Sequence, residues 1–128
     1  MTAKPKPEQY TPPPQAACTV ETTLVDIGDH LQIEIVQHIY RGKVVRFAIM
    51  LYYDDGSERL AEVSRIDTCH GAVHRHRMRE GIGDTGETDI IQYIHVDGTE
   101  WDVVNSMYDY ALDQMFDHAH EYFRRWKQ

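Results

Sequence analysis

Between Lys43 and Tyr53 the chain alternates so regularly that Val45, Phe47, Ile49, Leu51 and Tyr53 fall on one face, the period-2 pattern of a strand. Val44, Ala48, Met50 and Tyr52 make the other face largely apolar as well, which predicts a central strand. Upstream, β-rich runs from Thr19 to Ile27 and from Leu31 to Tyr40 are separated by the turn Gly28-Asp29-His30, and Arg41-Gly42 is a tight link into Lys43. Downstream, Asp54-Asp55-Gly56-Ser57 signals a turn into a strand from about Arg59 to Asp67, followed by a short strand near Val73 to Met78 and another from Ile90 to Val96. The period then changes: Val104, Tyr108, Ala111, Met115, Ala119, Tyr122 and Trp126 recur at three and four, flanked by Leu112 and Phe123, as an amphipathic helix requires. Thr99 is the expected N-cap, with Glu100 and Asp102 in the first turn and Arg124, Arg125 and Lys127 in the last, both matching the helix dipole. The expected fold class is α+β, an antiparallel sheet of five to six strands packed against one long C-terminal helix.

Composition adds boundaries to this pattern. All five prolines (Pro5, Pro7, Pro12, Pro13, Pro14) lie within the first 17 residues, which predicts a disordered tail over 1–17 and one domain over 18–128. Apolar residues make up 41% of the chain and charged residues 27%, and no run is long or apolar enough for a membrane helix or a signal peptide. A soluble cytoplasmic protein is the expectation, with Cys18 and Cys69 as free thiols because they show no disulfide framework. A net charge of -8 excludes general coating of DNA, since such affinity comes from Lys and Arg neutralising phosphates. It leaves room for a local basic site.

The candidate chemistry is concentrated in residues 65–77, where Arg65, Asp67, His70, His74, Arg75, His76 and Arg77 fall within thirteen positions. On a strand, His74 and His76 point to one face about 7 Å apart, while Arg75 and Arg77 point to the other. Three readings follow. His74 and His76, oriented by Asp67 and joined by His70, can act as general acid and base while Arg65, with Arg75 or Arg77 binding phosphate, stabilises charge, which suits metal-free RNA cleavage. Alternatively, His70, His74 and His76 ligate a divalent metal ion through a His-x-His strand. The plainest reading is an exposed edge strand with polar side chains and an Asp67–Arg65 pair that braces a turn.

The run Arg65-x-Asp67-x-x-His70-Gly71-x-x-His74-x-His76, after a hairpin and before a C-terminal helix, resembles the signature region of the TumE-type toxins of bacterial toxin-antitoxin pairs. The proline-interrupted histidine run of that family is absent. The resemblance implies a small cytoplasmic ribonuclease-like toxin with an antitoxin partner and an active site at Arg65, Asp67, His70, His74 and His76. The acidic charge supports a different class, a non-enzymatic binding protein that engages a basic protein partner. Exposed faces of Lys43 to Tyr53 and of the aromatic helix are compatible with a homodimer. The loop Glu80 to Asp89, with Gly81, Gly83 and Gly86, lacks the ligand spacing of a calcium loop and is expected as a lid or linker. His30, His38, His95, His118 and His120 are expected to be structural or solvated.

Overall fold

In a computed structural model that describes residues 8–128, six strands form one sheet in the order β1 to β6, each paired antiparallel with its neighbour in sequence. These are β1 (Thr19–Gly28), β2 (Leu31–Tyr40), β3 (Lys43–Tyr53), β4 (Ala61–Cys69), β5 (Ala72–Arg79) and β6 (Gly83–Tyr93), and one helix, α1 (Glu100–Lys127), follows. Three of the links in the meander are tight, and residues 54–60 make a longer one between β3 and β4. Asp29 and His30, Arg41 and Gly42, and His70 and Gly71 each place two consecutive residues at positive φ between strands, the backbone that matches the right-handed twist of a hairpin. His70 is therefore a turn residue, tolerated at φ 49° because His is among the side chains that visit the left-handed region.

The helix lies against β3, β4 and β5 and closes the core over one face of the sheet. Val104, Tyr108, Ala111, Met115, Ala119, Tyr122 and Trp126 are its buried stripe, the seven positions picked out by the 3.6-residue period. They meet Phe47, Ile49, Leu51, Val63, Ile66 and Val73 from the sheet, with Leu31, Ile33 and Ile35 extending the core under β2. Thr99 is the N-cap residue, but its hydroxyl donates to Asp97 and makes no cap bond, so the dipole is met by Glu100 and Asp102 instead.

Three expectations are corrected. Within the stretch expected as a disordered tail, residues 8–17 are ordered against the sheet at one point: Tyr10 is buried in the core and its hydroxyl donates to the Val45 carbonyl, and Gln15–Ala17 forms a short, exposed 3-10 turn. Residues 1–7, with Pro5 and Pro7, lie outside the described residues. The expected lid or linker from Glu80 to Asp89 is largely strand, because β6 begins at Gly83. Between the pairs His76↔Thr88 and Met78↔Asp84, three residues of β6 (85–87) face the single residue Arg77, so the strand bulges there rather than looping away. The last strand accordingly starts earlier and ends at Tyr93, before the expected Val96.

Candidate metal centre on the open face of the sheet

Alternation on β4 and β5 sorts the polar cluster into two groups on opposite faces. Val73 and Arg75 look toward the helix, where the Arg75 guanidinium sits 5.3 Å from the centre of the Tyr122 ring. Ala72, His74 and His76 look the other way, beside Asp67 and Arg65, which pair in register with His74 and His76. Asp67, Cys69, His74 and His76 thus meet on the sheet face that α1 leaves uncovered.

Their contacts run diagonally across the two strands, within reach of side chains of this length. Asp67 Oδ1 lies 2.9 Å from His76 Nε2, and Cys69 Sγ lies 3.3 Å from His74 Nδ1 and 4.0 Å from His76 Nε2. One donor atom from each of Asp67, Cys69 and His76 falls within 4.8 Å of the others. The second ring nitrogen of His76, Nδ1, is 3.4 Å from Asp84 Oδ2, a contact that the β6 bulge makes by carrying Asp84 back to the histidine. Arg65 forms the rim: its Nε donates to Glu62 Oε1 at 2.7 Å and its Nη1 is 3.9 Å from Asp67 Oδ2. The cluster is largely withdrawn from water, with the Asp67 and His76 side chains 13% and 16% exposed and His74 buried. Burial lowers the His74 pKa, and burial together with the Asp67 carboxylate pushes the Cys69 thiol up to about 11.

The residues singled out from sequence are only partly brought together. Asp67 and His76 converge with Cys69, His74 meets Cys69 from outside the three-donor group and Arg65 borders them, whereas His70 is exposed in the β4–β5 turn. Arg75 and Arg77 do not reach the histidines. Both grip Asp89 on the helix side, at 2.8 and 2.9 Å, and hold its carboxyl down to about 2. Cys69 is the residue that the reading by histidine spacing missed. Its signal was its place two residues after Asp67 on one strand face, which period-2 reasoning exposes once β4 is extended to Cys69. Asp84 had no local signal, since the bulge alone delivers it. Away from the cluster, His118 pairs with Glu121 and His120 with Asp29, both at the surface.

A six-stranded antiparallel meander under one long helix, with a shielded Asp/Cys/His group on its open face, defines an α+β domain with a candidate metal-ligating group. Residues 18–128 match the sequence model of DUF7718, described as a domain of unknown function, and the chain belongs to that family. Comparison with curated proteins and with solved structures gives no match. No helix among the described residues is long and apolar enough to cross a membrane.

Proposed function

We propose that this domain binds a transition-metal ion, zinc or one of similar softness, through Asp67, Cys69 and His76, with His74 as fourth donor. The observation that carries the reading is the two-sided setting of His76. Its Nδ1 faces the Asp84 carboxylate while its Nε2 faces Asp67 and Cys69. A carboxylate behind a histidine fixes the proton on the far nitrogen and leaves the near lone pair free for a metal. The donor spacings also fit. Bonds of 2.0–2.3 Å in a tetrahedral zinc shell place neighbouring donors about 3.3–3.7 Å apart, and the contacts of 2.9, 3.3 and 4.0 Å bracket that range. One thiol, two imidazoles and one carboxylate suit a borderline-soft ion and are a poor set for magnesium or calcium. Four protein donors in a shielded site close the ion's shell, which favours a structural or sensing role over hydrolysis. A reduced Cys69 fits the cytoplasmic setting expected from the sequence.

The toxin-type ribonuclease reading draws on the sequence resemblance. In this geometry both nitrogens of His76 are engaged by carboxylates, so proton transfer to a substrate would fall to His74, with Arg65 as the nearest arginine.

Metal content of the purified protein, followed by cobalt substitution, separates the two. The expected result is about one ion per chain, with a cobalt–thiolate absorption band that Cys69→Ser removes; His76→Ala should abolish retention, and His70→Ala should leave it unchanged. Protein that folds but holds no metal, or holds it equally well as His76→Ala, sinks the metal reading. Cleavage of single-stranded RNA by the chelated protein, dependent on His74, would support the ribonuclease instead.

A further inference from the structure

Between the last turns of α1 and strands β4, β5 and β6 a cavity of about 430 Å³ opens, with His76 among its lining residues. Arg75, Arg77, Arg79 and Arg125 line it, above Tyr122 and Trp126. Four of the nine arginines in a chain of net charge -8 therefore converge on one hollow. Glu87 is the single acid in that lining, and Thr85 adds a hydroxyl. A volume of this size suits a small molecule rather than a bare ion.

We infer that this groove binds a small phosphate monoester, with the phosphoryl group held by Arg77, Arg79 and Arg125 and the organic body resting beside Tyr122 and Met78. The planar guanidinium fork matches phosphate oxygens two at a time, so several forks around one hollow are worth more to a dianion than to a single carboxylate. The geometry already displays this grip: Arg75 and Arg77 close on Asp89 from two sides, with three nitrogens within 3.2 Å of its oxygens. Asp89 fixes Arg75 as the inner wall and holds one side of Arg77 through two bonds, while Arg79 and Arg125 keep partners only at the surface. Arg77 and Arg125 are 54% and 59% exposed, Arg77 also lies 3.6 Å from Glu87, Arg125 pairs with Glu121 as a surface i,i+4 contact, and Arg79 donates to the backbone oxygen of Gln128. Exposed pairs of this kind contribute little and exchange readily for a more highly charged ligand. The phosphoryl grip does not draw on the metal: the arginines and the Asp67–Cys69–His76 group project from opposite faces of the sheet, and His76 is the one residue that lines the cavity and belongs to the proposed metal site.

Binding of inorganic phosphate and of phenyl phosphate, followed by calorimetry and by amide chemical shifts on chelated and on zinc-loaded protein at fixed ionic strength, tests the assignment. The expected result is saturable binding of both, tighter for phenyl phosphate, equal in the two metal states, with shifts centred on residues 75–79 and 122–126. Arg77→Gln/Arg125→Gln should weaken binding at least tenfold. Arg59→Gln/Arg124→Gln, which removes the same charge from exposed positions elsewhere, should leave it unchanged. Any of four results overturns the inference: no saturable binding, equal loss in both double variants, no preference for phenyl phosphate, or binding that requires zinc. Because all four arginines changed are exposed, circular dichroism of each variant should match that of the unaltered chain.

Discussion

Tyr10 shows how one side chain ties a segment with no regular structure to the sheet. Its ring is 7% exposed and its hydroxyl donates to the Val45 carbonyl, thirty-five residues away in sequence. A buried hydrogen bond of this kind is worth about 1 kcal/mol, so Tyr10→Phe should lower unfolding free energy by roughly that amount in urea titrations. Burial, with Glu100 and Cys18 adding repulsion, raises the Tyr10 pKa from 10.0 to about 12. The neutral phenol is thus favoured by folding. Its contribution is complete below pH 10 and is lost as pH climbs from 10 toward 12. Stability of the unaltered protein should fall over that window more steeply than that of Tyr10→Phe, and parallel curves would show that Tyr10 does not titrate as described. Beside it, a Cβ on Gly71 would come within 2.9 Å of Gln9 Cγ, so the same segment presses on the hairpin that carries Cys69. Residue-level chemistry was legible in sequence where it depended on alternation, as for His74, His76 and Asp67. It was not legible for Tyr10, whose proline-rich neighbours mask a core aromatic, or for His70, whose positive φ makes it a turn former rather than a site residue.

Among elements, α1 and β6 mark the two extremes of what a one-dimensional pattern conveys. The helix stripe is encoded by periodicity alone, because every third or fourth residue must meet the same sheet face. Met115, fully buried at the middle of that stripe, is a sharp probe of it. Met115→Ala should cost about 2–5 kcal/mol, from lost transfer energy and the void left behind; a cost below about 1 kcal/mol in denaturant titrations would mean that the helix is not seated as described. Strand β6 has the opposite character. Gly83, Gly86 and the acids Asp84, Glu87 and Asp89 are residues that strands disfavour, so its first half reads as a loop. What holds it is pairing with β5, reinforced by the Thr85 hydroxyl donating to the Arg77 carbonyl and by the two arginines on Asp89. Tertiary contacts overrode local preference there, and Asp84, the carboxylate proposed to support the metal site, was hidden with it.

For the whole molecule, the two faces of the sheet divide the work. The face under α1 carries the core and the arginine groove, and the open face carries the proposed metal donors on strands that the core already holds in place. The apo domain is therefore expected to fold, with metal adding stability rather than creating structure. A ligand that binds only the native state at a hundredfold excess over its Kd adds about 2.7 kcal/mol, which for a domain of this size is a rise of roughly ten degrees in Tm. Zinc added to chelated protein should produce a shift of that order, absent in Cys69→Ser, and an unchanged Tm in both would count against a native-state metal site. The bulge in β6 has a consequence of its own. Since residues 85–87 span the width of one residue on β5, the length of that detour determines where Asp84 arrives, and no core side chain takes part. Shortening it by one residue would preserve the six-stranded order while turning Asp84 away from His76. A few glycine-bearing positions at the sheet edge, tied down by the Thr85 hydroxyl and otherwise exposed, thus act as a tuning screw for the proposed centre.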